Sequence, residues 1–264
     1  MATSSSGPLT PRTAGEVLAR SREFFEAKGV DSPRLEAELL VGHAIGLDRL
    51  GLYMAMDRPL EKDELTTARE LVSRRAKGEP TAYLLGYREF YGRRFQVGPG
   101  VLIPRPDTEL LVDRARAIAK ELEPPKVKTP FVAGISDQPE QADERRITAC
   151  DLGTGSGCIA ITVTLEVPLV RMLAIDISKD ALEVARTNAE ELKVPKARLG
   201  FKEGDGLEVL AAAAPHGVDL LLSNPPYVDP KDHVHLETAV RRYEPDTALF
   251  APQGDPDFWA RSLM

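Results

Sequence analysis

The 264-residue chain has only two cysteines, Cys150 and Cys158, and its formal net charge is −7 rather than positive. Two cysteines are too few for a disulfide framework or a cysteine-based metal site. A membrane-spanning helix is excluded because no apolar run approaches the roughly 18 residues that a span needs. The negative net charge argues against a general nucleic-acid coat, which needs clustered positive charge. Residues 1–12 lack the apolar core of a signal peptide, so we expect a disordered tail on a cytoplasmic protein.

The first part of the chain predicts short helices. Thr13 and Glu16 have the spacing of a capping box, which marks the start of a helix. Ser32 precedes a proline, and this pair is typical of an N-cap residue followed by a proline in the first helical turn. A third helix is expected to begin near Glu61. We therefore expect an all-α domain over residues 1–80.

Alternating apolar and polar residues follow over residues 90–103, on both sides of Gly98-Pro99-Gly100. This pattern predicts a β-hairpin with its turn at these glycines, within a linker over residues 81–106. Asp107 is expected to cap the next helix. Residues 123–146 hold four prolines among mixed charges without periodicity, which indicates a flexible surface insertion.

Strands alternate with helices after the insertion. Between the second and third strands, small and apolar residues recur at helical spacing from Leu182 to Leu192. This alternation predicts an α/β domain over residues 107–264, with a parallel, doubly wound sheet. The expected strands are residues 147–152, 169–175, 198–202 and 218–223.

The first of these strands ends in a glycine-rich loop, Asp-Leu-Gly-Thr-Gly-Ser-Gly, at residues 151–157. Alternate glycines allow a sharp turn and a close approach to a ligand, although a plain tight turn or a dinucleotide site would use them too. A dinucleotide fingerprint needs glycine or alanine where this chain has Cys158. Asp151 suits a positively charged amine and sulfonium. Asp176, after the second strand, could accept both ribose hydroxyls or cap the next helix, and Asp205 could lie beside an adenine; together these residues fit S-adenosylmethionine.

A second motif, Asn224-Pro225-Pro226-Tyr227, follows an apolar strand. Its prolines stiffen the loop and remove two backbone donors, so the Asn224 side-chain oxygen and the Pro225 carbonyl can face one way as acceptors. Tyr227 offers a flat face for stacking. Two acceptors could hold both hydrogens of a planar NH₂ group and stabilise the positive charge that develops when its nitrogen is methylated.

In these motifs the chain resembles the release-factor glutamine methyltransferases, the HemK-like class that methylates glutamine N5. The resemblance covers nearly the whole chain from about residue 32, and its most specific part is Ile-Pro-Arg-Pro-Asp-Thr-Glu at residues 103–109. It implies a Rossmann-like class I methyltransferase domain behind a helical substrate-recognition domain and a hairpin linker. The other matching stretches are residues 86–90, 151–157, 224–227, 242–245 and 248–250.

The resemblance also implies the reaction and the residues that serve it. The expected activity is methylation of the glutamine in the Gly-Gly-Gln loop of peptide chain release factors by a monomer that needs neither nucleic acid nor a membrane. Arg105 and Pro106 would line the junction between the domains. Catalysis would use Asn224, Pro225 and Tyr227, with Pro226 also holding the substrate. The S-adenosylmethionine site would comprise Gly153, Thr154, Gly155, Ser156, Gly157, Asp176, Asp205, Gly206 and Asn224.

Three other interpretations remain open at this stage. An adenine N6-methyltransferase could use a similar tetrapeptide but would need a basic track for phosphates. A glutamine methyltransferase acting on a ribosomal protein shares the motif. An inactive fragment is the third, because a methyltransferase sheet of this kind has more strands than the four that can be placed, and we expect the last strands to be missing. His233 and His235 have no third ligand of convincing spacing, so we expect no metal.

Overall fold

The computed structural model describes residues 13–122, 146–214 and 217–263. It divides the chain into two compact units with the boundary between Leu85 and Gly86. The expected N-terminal tail, and all but the last residue of the expected insertion at 123–146, lie outside the described residues. Thr81 to Leu85, which the sequence assigned to the linker, belong to the first unit.

The described part of the first unit consists of five helices and one isolated antiparallel bridge between Thr13 and Pro59. Its core contains the fully buried side chains of Phe25, Leu40 and Leu52. The short third and fifth helices were not expected from the sequence. The helices are α1 (Ala14–Lys28), α2 (Pro33–Ala44), α3 (Arg49–Met54), α4 (Lys62–Ala76) and α5 (Thr81–Leu85).

Two predicted helix starts have different outcomes. The capping box at α1 is confirmed, because the Glu16 N–H donates to the Thr13 hydroxyl and the Thr13 N–H donates to the Glu16 carboxylate. Ser32 occupies the N-cap position of α2 and the helix begins at its proline, both as predicted, but the Ser32 side chain does not cap the helix. Ser32 has a left-handed backbone with φ of 49° and makes no side-chain cap bond. A capping side chain is normally carried by an extended backbone.

Glu38 joins α2 to α3 through a buried carboxylate. Arg34 Nε donates to it at 2.8 Å, Arg49 Nη2 donates at 2.6 Å, and the Tyr53 hydroxyl donates as well. Burial opposes ionisation of Glu38, but these hydrogen bonds outweigh it and lower the pKa of Glu38 to about 2. The ionised carboxylate therefore stabilises the folded first unit.

Glu38→Gln is expected to lower the free energy of unfolding at pH 7 by about 2 kcal/mol, because the arginines lose their anionic partner. The folded pKa lies below the ordinary value of 4.5, so the contribution is complete above pH 4.5 and is lost as the pH falls towards 2. Urea titrations followed by circular dichroism at pH 7 and pH 3 measure this. The control is Glu70→Gln on exposed α4 surface. An equal effect of both variants at pH 7 would contradict the prediction.

The second unit begins with the hairpin of β1 (Tyr87–Phe90) and β2 (Arg93–Gln96), which pair antiparallel. The predicted turn at Gly98-Pro99-Gly100 is therefore wrong as the hairpin turn. Tyr91 and Gly92 make it instead, both with positive φ, and the Tyr91 N–H donates to Glu109 Oε1 at 2.8 Å. A distant carboxylate thus supports a conformation that Tyr91 alone would not favour. The glycines at 98–100 do form a local turn, but it connects no strands.

A four-stranded parallel sheet follows, in the order β5-β4-β3-β6. Successive residues of β3 and β4 pack on opposite faces: Ala149 and Met172 belong to one cluster, and Cys150 and Leu173 to the other. Helices therefore cover both faces, which confirms the doubly wound α/β fold. The strands are β3 (Ile147–Leu152), β4 (Val170–Asp176), β5 (Leu199–Glu203) and β6 (Leu220–Ser223).

Helices of the second unit connect and flank these strands. Helix α6 begins after a 3-10 turn at Pro106–Thr108, and Asp107 lies within that turn, so Asp107 as the cap of α6 is wrong. Two further 3-10 turns lie at Pro230–His235 and Pro252–Gly254. The helices are α6 (Glu109–Glu121), α7 (Cys158–Glu166), α8 (Lys179–Glu191), α9 (Gly206–Ala213), α10 (Thr238–Tyr243), α11 (Asp246–Leu249) and α12 (Phe258–Leu263).

The glycine-rich turn between β3 and α7 is closely packed at its last glycine. Gly157 has φ of 80°, and a Cβ there would lie 2.9 Å from Ile161 Cδ1 and 3.1 Å from Ala185 Cβ. Gly155 also has a positive φ, 56°, but a Cβ there would meet nothing within 4 Å. Gly157 therefore allows α7 to approach α8 at this point.

Gly157→Ala is expected to lower the free energy of unfolding by about 2 kcal/mol or more, since backbone strain adds to overpacking. Gly155→Ala, the matched control, carries only the backbone strain and is expected to cost about 1 kcal/mol. Urea unfolding followed through the fluorescence of Trp259, the single tryptophan, measures both variants. Equal losses would show that the contact with α8 is unimportant.

Candidate active site

The sheet reverses its strand order at β3. The chain proceeds from β3 to β4 and β5 on one side, and β6 then pairs on the other side of β3. Ligands of open parallel sheets bind in the crevice at the carboxyl ends of the strands where such a reversal occurs. Leu152 of β3 is paired with Ser223 of β6. The glycine-rich loop after β3 and the Asn224 loop after β6 therefore lie side by side at this crevice.

The glycine-rich loop has an open face. Gly153 and Gly155 have φ of 70° and 56°, and a Cβ at either position would meet nothing within 4 Å. The Thr154 and Ser156 side chains are buried instead. A ligand can therefore approach the main chain at the two glycines, whereas Thr154 and Ser156 face the protein interior.

Asp151 supports the glycine-rich loop through hydrogen bonds from the protein interior. Its carboxylate is fully buried, and Oδ2 accepts hydrogen bonds from the Thr154 hydroxyl at 2.7 Å and from the Ala160 N–H at 3.2 Å. Burial raises the pKa of Asp151 to about 7, since these bonds offset only part of the desolvation. The other oxygen, Oδ1, finds no partner within the described part of the chain. Asp151 thus fixes the loop, and its second oxygen is buried without a hydrogen-bond partner in the described residues.

Asp176 lies at the carboxyl end of β4 and also binds the glycine-rich loop. Its Oδ2 accepts from the Gly155 N–H at 2.8 Å, and its Oδ1 accepts from the Ser178 N–H at 2.9 Å. Ser178 caps α8 through its own side chain, so the interpretation of Asp176 as the cap is wrong. The half-buried carboxylate of Asp176 retains acceptor capacity towards the crevice end of the sheet.

Asp205 and Gly206 lie where α9 begins, after the next strand, β5. Asp205 is exposed and occupies the N-cap position without a side-chain cap bond. A Cβ at Gly206 would lie 3.3 Å from Leu152 Cδ2. The structure thus places these two predicted residues at the same sheet edge as Asp176.

The loop of residues 224–227 is anchored at both ends. Before it, the Ser223 hydroxyl donates to the Leu152 carbonyl at 2.8 Å. After it, Val228 forms a parallel bridge with Phe250, donating to the Leu249 carbonyl at 3.0 Å and accepting from the Ala251 N–H at 3.0 Å. The prolines and these anchors together limit the movement of the loop.

Within the loop, Asn224 and Tyr227 have different surroundings. Asn224 is half-buried, and its Nδ2 donates to the Thr108 hydroxyl at 3.3 Å. Tyr227 is 63% exposed, so its ring is free to stack on a bound group. One polar side chain is therefore held in place at the crevice, and one aromatic ring is available beside it.

Three supporting residues were not predicted. Thr108 contacts Asn224, and Glu244 accepts from the Ile103 N–H at 3.1 Å and from Arg105 Nη2 at 2.7 Å. The Asn188 amide of α8 donates to the Ser156 carbonyl at 2.8 Å. Thr108 and Glu244 lie in stretches that resemble the methyltransferase family, but nothing in the sequence indicates which residues Thr108 and Glu244 contact. Arg105, expected at a domain junction, has Glu244 as its partner.

The histidines of the Asn224 region show no metal-binding arrangement. The His233 ring lies 5.6 Å from the Phe250 ring. Across residues 13–122, 146–214 and 217–263, no group of three or more His, Cys, Asp or Glu side chains could hold a metal ion.

Among the helices that the structure describes, none has the length and apolar character of a membrane span.

Comparison with known proteins identifies the family of this chain. Residues 16–86 match the PrmC N-terminal domain, and residues 138–249 match the methyltransferase small domain. The release factor glutamine methyltransferase of Chlorobaculum tepidum is 44% identical over 240 residues, 90% of this chain and 76% of the relative. That of Rhodopirellula baltica is 37% identical over 254 residues, 96% of this chain and 79% of the relative. The chain therefore belongs to the release factor glutamine methyltransferase family.

Proposed function

We propose that this chain transfers a methyl group from S-adenosylmethionine to the side-chain amide nitrogen of the glutamine in the Gly-Gly-Gln loop of a peptide chain release factor. The observation that carries the proposal is the pairing of Leu152 with Ser223, which sets the glycine-rich loop beside Asn224. A cofactor loop and an amide-binding loop must be neighbours for direct transfer. The reaction takes place in the cytoplasm, by a monomer that needs neither nucleic acid nor a membrane.

The residues around the glycine-rich loop fit S-adenosylmethionine, which supplies an electrophilic methyl group. The open main chain of Gly153 and Gly155 admits a ligand, and the unpartnered Asp151 Oδ1 suits its ammonium group. Asp176 would accept hydrogen bonds from the ribose hydroxyls. Asp205 and Gly206, after β5, would lie on the adenine side. Thr154, Ser156 and Gly157 would bind the ligand through their main chain, because the Thr154 and Ser156 side chains are buried.

Asn224 and Pro225 would hold the reacting amide. A glutamine amide is a weak nucleophile because its nitrogen lone pair is delocalised. Acceptance of its two hydrogens by Asn224 Oδ1 and the Pro225 carbonyl would orient the nitrogen and stabilise the positive charge that develops on it. Tyr227 would stack on the amide plane, and Pro226 would keep the loop stiff. The nitrogen–carbon bond would form as the methyl carbon–sulfur bond breaks, S-adenosylhomocysteine would leave as the neutral thioether, and the nitrogen would release its extra proton to water.

The choice of a release factor rests on the named activity of the relatives and on the charge of the chain. The relatives from C. tepidum and R. baltica are named for release factor glutamine methylation. A net charge of −7 disfavours the adenine alternative, since a nucleic-acid substrate needs a basic track.

The reaction is tested by incubating the chain with methyl-labelled S-adenosylmethionine and a bacterial release factor. Label is expected on the factor and absent from a Gln→Ala version of its Gly-Gly-Gln loop. Parallel reactions with ribosomal proteins and with an adenine-containing duplex test the two other methyltransferase interpretations. Equal label on both forms of the factor, or label only in a parallel reaction, would refute the proposal. An absence of label in every reaction would support the inactive-fragment interpretation.

Asn224→Ala is expected to lower kcat by about a hundredfold or more, because the variant loses an acceptor that acts on the developing charge. The dissociation constant of S-adenosylmethionine is expected to stay close to that of the unmodified chain. Single-turnover kinetics and calorimetric titration measure the two quantities. An unchanged kcat would show that the amide is held by other groups.

Asp176→Asn is expected to weaken S-adenosylmethionine binding by about tenfold or more, because a neutral amide is a poorer acceptor for ribose hydroxyls than a carboxylate. Asp180→Asn on the exposed first turn of α8 serves as the control for charge loss. Calorimetric titration measures both variants, and thermal unfolding checks that the glycine-rich loop has kept its fold. Similar affinity of the two variants would remove Asp176 from the cofactor site.

A further inference from the structure

A side-chain contact ties Asn224 to a distant part of the chain. Its Nδ2 donates to the hydroxyl of Thr108, 116 residues earlier, at 3.3 Å. Thr108 is buried, with 8% of its surface exposed. The contact therefore joins the loop after β6 to the turn before α6 in a region that excludes most solvent.

The Thr108 hydroxyl is not used by its own helix. Thr108 occupies the N-cap position of α6, where threonine commonly accepts a hydrogen bond from the first turn. Its backbone is helical, with φ of −67° and ψ of −19°, and its side chain makes no cap bond. Since a capping side chain needs an extended backbone, this hydroxyl is left for Asn224.

The segment that carries Thr108 is itself held firmly. Glu244 has only 1% of its side chain exposed, and it accepts from the Ile103 N–H at 3.1 Å and from Arg105 Nη2 at 2.7 Å. The Thr108 N–H then donates to the Arg105 carbonyl at 3.1 Å. The hydroxyl thus has a defined position relative to the sheet.

This contact decides which end of the Asn224 amide faces the crevice. With Nδ2 on Thr108, Oδ1 points away from that bond and accepts no hydrogen bond from residues 13–122, 146–214 or 217–263. We propose that Thr108 is a positioning residue that holds the Asn224 side chain with Oδ1 presented to one hydrogen of the substrate amide. The proposal rests on the proposed function, in which Asn224 Oδ1 is an acceptor for that amide.

The kinetic test compares Thr108→Val, which removes the hydroxyl at nearly constant volume, with Thr108→Ser, which keeps it. Thr108→Val is expected to lower kcat by about tenfold, because Asn224 loses its fixed orientation in the transition state. The dissociation constant of S-adenosylmethionine and the melting temperature are expected to change little. Thr108→Ser is expected to restore most of kcat. A merely structural role would lower the melting temperature and would not separate the two variants in kcat alone.

A spectroscopic test does not depend on turnover. The two side-chain amide protons of Asn224, assigned by their loss in Asn224→Ala, are observed in nitrogen-15 correlated spectra of the free full chain. Because one of these protons is hydrogen-bonded to the Thr108 hydroxyl, the chemical shifts of the two protons are expected to differ widely in the unmodified chain and in Thr108→Ser. In Thr108→Val the two chemical shifts are expected to converge. Unchanged shifts in Thr108→Val would refute the contact. Convergence with unchanged kcat would refute the positioning role, whereas failure of the unmodified chain to methylate the factor would refute only the proposed function.

Discussion

The parallel pairing of β3 with β6 is the interaction on which the candidate site depends. Strands that run in parallel end at the same edge of the sheet, so the segments that follow them become neighbours however far apart they lie in the chain. Leu152 and Ser223 face each other across this pair, and the Ser223 hydroxyl bonds to the Leu152 carbonyl. The intervening chain contains β4, β5 and helices α7 to α9, and the pairing brings its two ends together.

Buried polar groups then give the loops at this edge their shape. The Asp151 carboxylate accepts hydrogen bonds from the Thr154 hydroxyl in the glycine-rich loop and from the Ala160 N–H in α7, so it links the two. The Asn188 amide of α8 donates a hydrogen bond to the Ser156 carbonyl of the same loop. Glu244 plays the corresponding part for the segment that leads to Thr108. Such groups are costly to bury without partners, so each one constrains the backbone around it to a narrow set of conformations. The open face of the loop and the orientation of Asn224 both follow from these constraints.

The success of the sequence predictions depended on whether local residues decided the structure. The capping box of Thr13 and Glu16 is formed because both partners lie in one helical turn. The four strands of the sheet were expected within one or two residues, since apolar runs between glycines and helical stripes mark them directly. The hairpin turn was misplaced because Tyr91 adopts a positive φ with the help of Glu109, which lies 18 residues further along the chain. No local propensity would have indicated that choice.

The sequence by itself determined the fold class, the family and the two loops of the candidate site, because contiguous residues of restricted type mark each of them. The tertiary structure alone decided which acidic and amide groups support those loops. Asp151 is committed to its own loop, Asp176 to the Gly155 N–H, and Asn224 to Thr108. The contacts of Asp176 and Asn224 join separate segments that only the packed sheet brings within hydrogen-bonding distance. Because a hydrogen bond requires donor and acceptor atoms about 3 Å apart, the order of residues along the chain does not reveal which polar groups will form one.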